Sequence, residues 1–130
     1  MIKSIKSLLI VSLLVVLGTS CSPKVTEKLS LEEYEALMAN TKKLQLVDVR
    51  TPEEFEAGHI TDAVMIDFKS PDFREQVKSL KKRKPVAVYC KSGNRSGQAF
   101  AILQEMGFRK LYDLEGGITA WQQAGKEVKK

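Results

Sequence analysis

One stretch of the sequence decides the fold: residues 85–97, which read PVAVYCKSGNRSG. Its first half is an apolar run, typical of a strand that is covered on both faces of a parallel sheet. Its second half contains two glycines and leads directly into a helical pattern, so it predicts a tight loop followed by a helix N-terminus. Ligands of parallel sheets bind at the carboxyl ends of the strands. Cys90, which ends this strand, is therefore the first candidate for a functional side chain.

Strand and helix patterns alternate on both sides of this stretch. Ser30 with Glu33 forms a capping-box pattern, and Thr51 with Pro52 is typical of a helix start. We expect strands at residues 25–29, 44–49, 63–66, 85–89 and 110–114, and helices after Ser30 and Thr51 and at residues 71–80, 96–106 and 118–124. The order predicts one α/β domain over residues 25–130 with a largely parallel sheet.

The first twenty residues have the layout of a bacterial export signal. A basic start with Lys3 and Lys6 precedes an apolar run at residues 8–17, which is shorter than the roughly 20 residues that a spanning helix needs. Residues 17–21, LGTSC, resemble a lipoprotein lipobox, which implies lipidation of Cys21. We therefore expect a signal peptide at residues 1–20, a tether at residues 21–24, and an exported protein of the cell envelope or periplasm that lipid holds on a membrane. The alternatives are cleavage without lipidation, an incidental thiol at Cys21, and a buried N-terminal helix.

Charge gives no indication of nucleic-acid binding. The chain has 21 Lys and Arg against 16 Asp and Glu, and without residues 1–20 the numbers are 19 and 16, a formal charge of +3. This is ordinary for a soluble domain. The run KKRK at residues 81–84 is interpreted as a solvated loop, and its alternative is contact with a membrane surface.

The numbers of cysteines and histidines limit which disulfides and metal sites the chain can form. If Cys21 carries lipid, Cys90 is the only free thiol, so the chain has no disulfide framework. One histidine, His59, and one thiol cannot provide the usual four ligands of a metal site. We expect neither a metal nor a cofactor, and we expect a monomer.

The loop after Cys90 predicts an activated thiol. Two glycines allow several backbone N–H groups to face the centre of the loop, and the following helix N-terminus adds positive potential. Lys91 and Arg95 add formal charge nearby. We expect these groups to lower the pKa of Cys90, so that the thiolate, or the outer sulfur of a persulfide, is stabilised. A buried structural cysteine is the alternative.

The sequence resembles the rhodanese-like domains over residues 25–128. The motifs that carry this resemblance are LVDVR with Glu54 and Phe55, GHI at residues 58–60 with Ala63, CKSGNRS at residues 90–96, and LEGGITAW at residues 114–121. The resemblance implies a parallel sheet of about five strands with helices on both faces. It also implies that Cys90 is the nucleophile and that the loop binds its sulfur through Lys91, Ser92, Gly93, Asn94 and Arg95.

Loop length favours sulfur transfer over phosphate chemistry. Four residues separate Cys90 from Arg95, as in sulfurtransferases, whereas the similar cysteine phosphatases have five. We expect Cys90 to take sulfur from a small anionic donor, such as thiosulfate or a persulfide, and to pass it to cyanide or a thiol. Lys91 and Arg95 would attract the donor. The alternatives are a non-enzymatic persulfide carrier or membrane-tethered interaction module, and a phosphatase or arsenate reductase.

Three further residues border or support the predicted pocket. Asp48 and Arg50 leave a strand at the same sheet edge as Cys90, and we interpret Arg50 with Glu54 as a buried ion pair that holds the loop. His59 resembles a family position that packs and hydrogen-bonds the connecting loop. A catalytic base is the alternative role for His59.

Overall fold

The computed structural model describes Gly18 and residues 23–130. Within residues 23–130, five strands form one sheet: β1 (Val25–Leu29), β2 (Gln45–Asp48), β3 (Val64–Met65), β4 (Val86–Tyr89) and β5 (Lys110–Leu114). Their order across the sheet is β1-β5-β4-β2-β3, and every pairing is parallel. The predicted parallel sheet of five strands is confirmed. Cys21 and, apart from Gly18, the predicted signal peptide lie outside the described residues.

In the described part of the chain, five α-helices connect and follow the strands: α1 (Leu31–Asn40), α2 (Pro52–Ala57), α3 (Phe73–Gln76), α4 (Asn94–Glu105) and α5 (Gly117–Gln123). The two caps read from the sequence are present, since Ser30 and Glu33 form a reciprocal capping box and the Thr51 side chain accepts from the Glu54 amide. Among the residues described, no helix is both long and apolar enough to cross a bilayer.

Alternate residues of each strand point to opposite faces, so the sheet has two cores. In β4, Val86 and Val88 pack with side chains of α3 and α4, whereas Ala87 and Tyr89 pack with side chains of α1 and α5. Helices therefore cover both faces, as the resemblance implies, and β4 in the middle is buried throughout. The loop that follows β4 is held by a rigid scaffold.

The segment at residues 71–80 is less helical than the sequence predicts. Only α3 is α-helical there, and a 3-10 turn, Val77–Ser79, follows it. Asp72, at the N-cap position, makes no capping bond, because its carboxylate bonds the side chains of Ser70 and Gln76 instead. Phe73 and Val77 are nevertheless buried and Leu80 packs beside them, so this segment still contributes to the core.

Candidate active site

Cys90 lies directly after β4, at the start of the loop that leads into α4. Its side chain is buried, and its Sγ accepts a hydrogen bond from the Gly93 amide at 3.1 Å. Gly93 is the N-cap of α4 and has φ +112°, a left-handed conformation that favours glycine. Because α4 begins at Asn94 and not at residue 96 as predicted, the first turn of the helix belongs to the sulfur site.

Ser96 is a second partner of the sulfur. Its Oγ lies 3.4 Å from Cys90 Sγ and 3.3 Å from the Gly93 carbonyl oxygen, and the side chain is buried. Burial alone raises the pKa of the Cys90 thiol, but hydrogen bonds with the Ser96 hydroxyl and with the amides of Ser96, Gly93 and Ser92 lower it, and the net direction is downward. In the structure the Cys90 thiol donates to Ser96 Oγ, and the Ser96 hydroxyl donates to the Gly93 carbonyl oxygen. To stabilise a thiolate, this hydroxyl must turn its proton to the sulfur. The arrangement therefore favours an anionic sulfur through hydrogen bonds from the loop and from the start of α4.

Arg95 points to α2. Its guanidinium donates two hydrogen bonds to the Glu54 carboxylate, at 2.7 and 2.9 Å. This pairing lowers the pKa of Glu54 to about 2 and raises that of Arg95. The charge of Arg95 is thus partly offset by a carboxylate, and the two residues tie the start of α4 to α2.

The predicted Arg50–Glu54 pair is wrong. Arg50 instead pairs with Asp48, with Nη2 2.7 Å from Oδ2, and the same nitrogen donates to the Gly58 carbonyl oxygen at 2.7 Å. Residues two apart at the end of a strand point to the same side, which places Asp48 within reach of Arg50. Both side chains are buried, and together they fix the loop after β2 to the end of α2.

His59 is placed for packing. Its ring stacks on Phe55 with centroids 3.7 Å apart, and Nδ1 lies 2.9 Å from the Phe55 carbonyl oxygen. Its backbone pairs with Lys129 in both directions. These contacts hold the chain after α2 against the C-terminal segment.

An open pocket of about 270 Å³ lies beside the Cys90 loop. Arg50 and Lys91 contribute cationic groups to its wall, Thr119 and Gln122 contribute neutral polar groups, and Glu54 contributes a carboxylate. The predicted border residue Arg50 therefore does line the pocket, while Asp48 supports it from behind. Such a wall suits a small anionic or polar ligand.

The N-terminus of α5 contacts the Cys90 loop, which the sequence did not indicate. The amides of Ile118 and Thr119 donate to the carbonyl oxygens of Cys90 and Lys91, at 2.9 and 3.0 Å. Gly117 makes this approach possible, because a Cβ at that position would lie 2.5 Å from both oxygens. The glycine at this position therefore allows two backbones to pack closely.

Asp113 is the other contributor that sequence reasoning missed. It is buried on β5, and Oδ1 has no hydrogen-bond partner. Burial raises the pKa of the Asp113 carboxyl, while a hydrogen bond with Ser96 opposes that shift. Cys90, Ser96 and Asp113 thus form a short polar chain through the sheet-facing side of α4. Its sequence signal is a carboxylate two residues after Leu111, on the same buried face of β5.

Comparison with known proteins agrees with this geometry. The family model described as "Rhodanese-like domain" matches residues 30–124. A sulfurtransferase of Allochromatium vinosum is 36% identical over 97 residues, covering 75% of this chain and 89% of that protein. Thiosulfate sulfurtransferase 16, chloroplastic, of Arabidopsis thaliana is 37% identical over 106 residues, covering 74% and 86%. The crystal structure of a rhodanese-related protein from Thermoplasma volcanium has a TM-score of 0.70 at 31% identity, covering 79% of this chain and 97% of that one. The chain therefore belongs to the rhodanese-like domain family.

Proposed function

We propose that this protein is a sulfurtransferase that carries sulfur as a persulfide on Cys90. The observation that carries the proposal is the environment of Cys90 Sγ, where the Gly93 amide and the Ser96 hydroxyl hydrogen-bond a thiol of lowered pKa. Two of the relatives described above are named sulfurtransferases, which supports the same activity.

The proposed reaction has two displacements at sulfur. The Cys90 thiolate attacks the outer sulfur of thiosulfate, the S–S bond of thiosulfate breaks, and sulfite leaves with the bonding electron pair. Cyanide or an external thiolate then attacks the outer sulfur of the persulfide, and Cys90 leaves as the thiolate. The same hydrogen bonds stabilise the anionic sulfur of Cys90 at the start and at the end of the cycle. Lys91 and Arg50 on the pocket wall would attract the anionic donor.

The contacts of Arg95 favour this reaction over phosphate chemistry. Both terminal nitrogens of its guanidinium already bind Glu54, so the fork is occupied and not open to a tetrahedral anion. The spacing of four residues between Cys90 and Arg95 points in the same direction. A non-enzymatic persulfide carrier would use the same site, and only turnover separates it from an enzyme.

Intact mass and turnover test the proposal. The protein is incubated with thiosulfate and weighed, beside the matched variant Cys90→Ser. We expect one added sulfur in the wild type alone, and thiocyanate formation when cyanide is supplied. If a persulfide forms but yields neither thiocyanate nor sulfur transfer to a thiol, the non-enzymatic persulfide carrier is favoured over the enzyme. No persulfide from thiosulfate or from a small persulfide donor would refute the proposed activity, and phosphate release from an aryl phosphate would replace it with phosphatase activity.

We also propose that the protein is exported and held on a membrane through a lipid on Cys21. The support is the sequence before the domain, an apolar run at residues 8–17 followed by LGTSC. Detergent phase partitioning of the wild type against Cys21→Ala tests the anchor. We expect the wild type in the detergent phase and Cys21→Ala in the aqueous phase, and equal partitioning would remove the anchor from the proposal.

A further inference from the structure

Positive charge collects at one end of the sheet, the end opposite Cys90. Because all strands are parallel, the segments that precede β1, β2, β4 and β5 meet at their amino ends. In these four described segments, residues 23–24, 41–44, 80–85 and 106–109, there is no Asp or Glu. We call the lysines of these segments, with Arg83, the basic end: Lys24, Lys42, Lys43, Lys81, Lys82, Arg83 and Lys84. Arg109 also lies in these segments but makes another interaction and is not counted.

The central part of the basic end is held in place by hydrogen bonds. The Gln45 side chain donates to the Lys81 carbonyl oxygen at 2.9 Å and accepts from the Lys81 amide at 2.7 Å, which fastens the turn before β4 to the start of β2. Lys84 is close enough to Lys81 and Lys43 that their charges lower its pKa. Most of these side chains are exposed. The lysines are thus kept together on a rigid scaffold despite their mutual repulsion.

Neighbouring carboxylates do little to neutralise this end. Asp62 lies in the turn before the short edge strand β3, and Glu105 at the end of α4 pairs with Arg74. The opposite end is mixed in sign, since the segments that follow β3, β4 and β5 contain Lys69 and Lys91 as well as Asp67 and Glu115. Positive charge is therefore concentrated at the amino ends of the strands, although the net charge of the domain is modest.

The start of the domain lies at the basic end, because Lys24 immediately precedes β1. Three residues, 22–24, lie between the proposed lipid anchor at Cys21 and β1. The four residue steps from Cys21 to Val25, at about 3.5 Å each, span at most about 14 Å. An anchor at Cys21 therefore keeps the basic end near the membrane, where electrostatic attraction acts over a Debye length of about 8–10 Å.

We propose that the basic end docks on anionic phospholipid head groups and that the Cys90 end consequently faces away from the membrane. The inference rests on the membrane attachment proposed above but not on sulfurtransferase activity. Polybasic surfaces next to an anchor bind anionic lipids by the charge of their Lys and Arg side chains, each strengthening the attachment about fivefold. Nucleic acid would offer similar phosphate charge, but the tether brings a membrane, and not a nucleic acid, to this end of the domain.

Lysine labelling of the full-length protein on vesicles tests the docking. The protein, extracted from bacterial membranes, is reconstituted in vesicles of phosphatidylcholine alone or mixed with phosphatidylglycerol. A membrane-impermeant amine reagent is applied and the labelled sites are quantified by mass spectrometry. We expect labelling of Lys81 and Lys82 to fall at least about threefold on the anionic vesicles, with no change at Lys69 or Lys129, and to recover in about 1 M salt, where the Debye length is about 3 Å.

Matched charge variants sharpen the test. In Lys81→Gln/Lys82→Gln/Lys84→Gln we expect Lys42 to lose its protection on anionic vesicles. The control Lys69→Gln/Lys129→Gln/Lys130→Gln removes the same charge elsewhere and should leave that protection intact.

Each outcome bears on one proposal. Equal labelling on both vesicles, equal protection of Lys69 and Lys129, or protection of Lys81 only by a short RNA duplex would overturn the docking. Failure to float with neutral vesicles would instead refute the anchor, and protection measured with added anionic vesicles would still decide the docking. The persulfide assay remains independent of both.

Discussion

Replacement of Gly117 by Ala tests how α5 holds the Cys90 loop. A Cβ at this position would lie 2.5 Å from the carbonyl oxygens of Cys90 and Lys91, where 3.0–3.4 Å is already tight. The backbones must therefore separate by about 0.5–0.9 Å. That movement strains the hydrogen bonds that Ile118 and Thr119 donate to the same oxygens.

The expected cost follows from three contributions. The φ of +58° at Gly117 costs an L-residue about 1–2 kcal/mol. Two weakened backbone hydrogen bonds cost about 1 kcal/mol each. Against this, Ala restricts the unfolded chain and returns about 0.4–1 kcal/mol. We expect the free energy of unfolding to fall by about 2–3 kcal/mol, which lowers Tm by roughly 10–15 °C in a domain of this size.

Activity should fall more than stability alone requires. Displacing the Cys90 loop by most of an ångström misplaces the sulfur, and a misplacement of about 1 Å costs up to roughly 10²-fold in rate. Thiocyanate formation is measured well below the Tm of the variant, and unfolding is followed by circular dichroism. The matched control is Gly97→Ala in α4, where an added Cβ meets nothing within 4 Å. This control should stabilise the helix by about 0.5–1 kcal/mol and keep the activity. If Gly117→Ala has the same Tm and the same rate of thiocyanate formation as the wild type, the close approach of α5 to the loop is refuted.

Substitutions also test three individual contacts, those of Ser96, Glu54 and Arg50. Ser96→Ala should raise the pKa of Cys90, which a pH profile of thiol alkylation measures; an unchanged profile would show that the hydroxyl does not stabilise the thiolate. Glu54→Gln should lose about 1 kcal/mol of stability at pH 7, after allowance for solvent screening. The pKa of Glu54 is lowered from 4.5 to about 2, so its ionic contribution to the free energy of unfolding is complete above pH 4.5 and vanishes towards pH 2. The urea-unfolding curves of the wild type and Glu54→Gln should therefore converge towards pH 2. Arg50→Ala leaves Asp48 buried without its partner and should cost about 3–5 kcal/mol, whereas Arg50→Met/Asp48→Asn should cost less; equal losses would contradict a buried ion pair.

Features that depend on neighbouring residues were predictable from the sequence. The capping box at Ser30 and the Thr51–Pro52 helix start act within one turn, and the apolar run of β4 records burial on both faces. The position of Cys90 after that strand follows from the same pattern. The loop length, given by the spacing to Arg95, is also a local property.

Contacts between distant segments were not predictable in this way. Glu54 and Arg95 are 41 residues apart, and which arginine takes the carboxylate depends on how α2 faces α4. The approach of Gly117 to the Cys90 loop depends on the neighbouring position of β4 and β5 in the sheet. Asp113 reaches Ser96 for the same reason. Each of these needs the sheet order, which local patterns do not contain.

The sheet also places Cys90 and the basic end at opposite ends of its strands. Cys90 is the free cysteine in the described part of the chain, so no second thiol there can take its sulfur. In the proposed reaction the acceptor is cyanide or an external thiol, which must reach the carboxyl ends of the strands. The basic end lies at the amino ends, so docking by that end and access to Cys90 do not compete. Removing charge from the basic end should therefore leave turnover with soluble thiosulfate and cyanide unchanged. Changes at Ser96 or Gly117 should alter turnover and leave the docking intact.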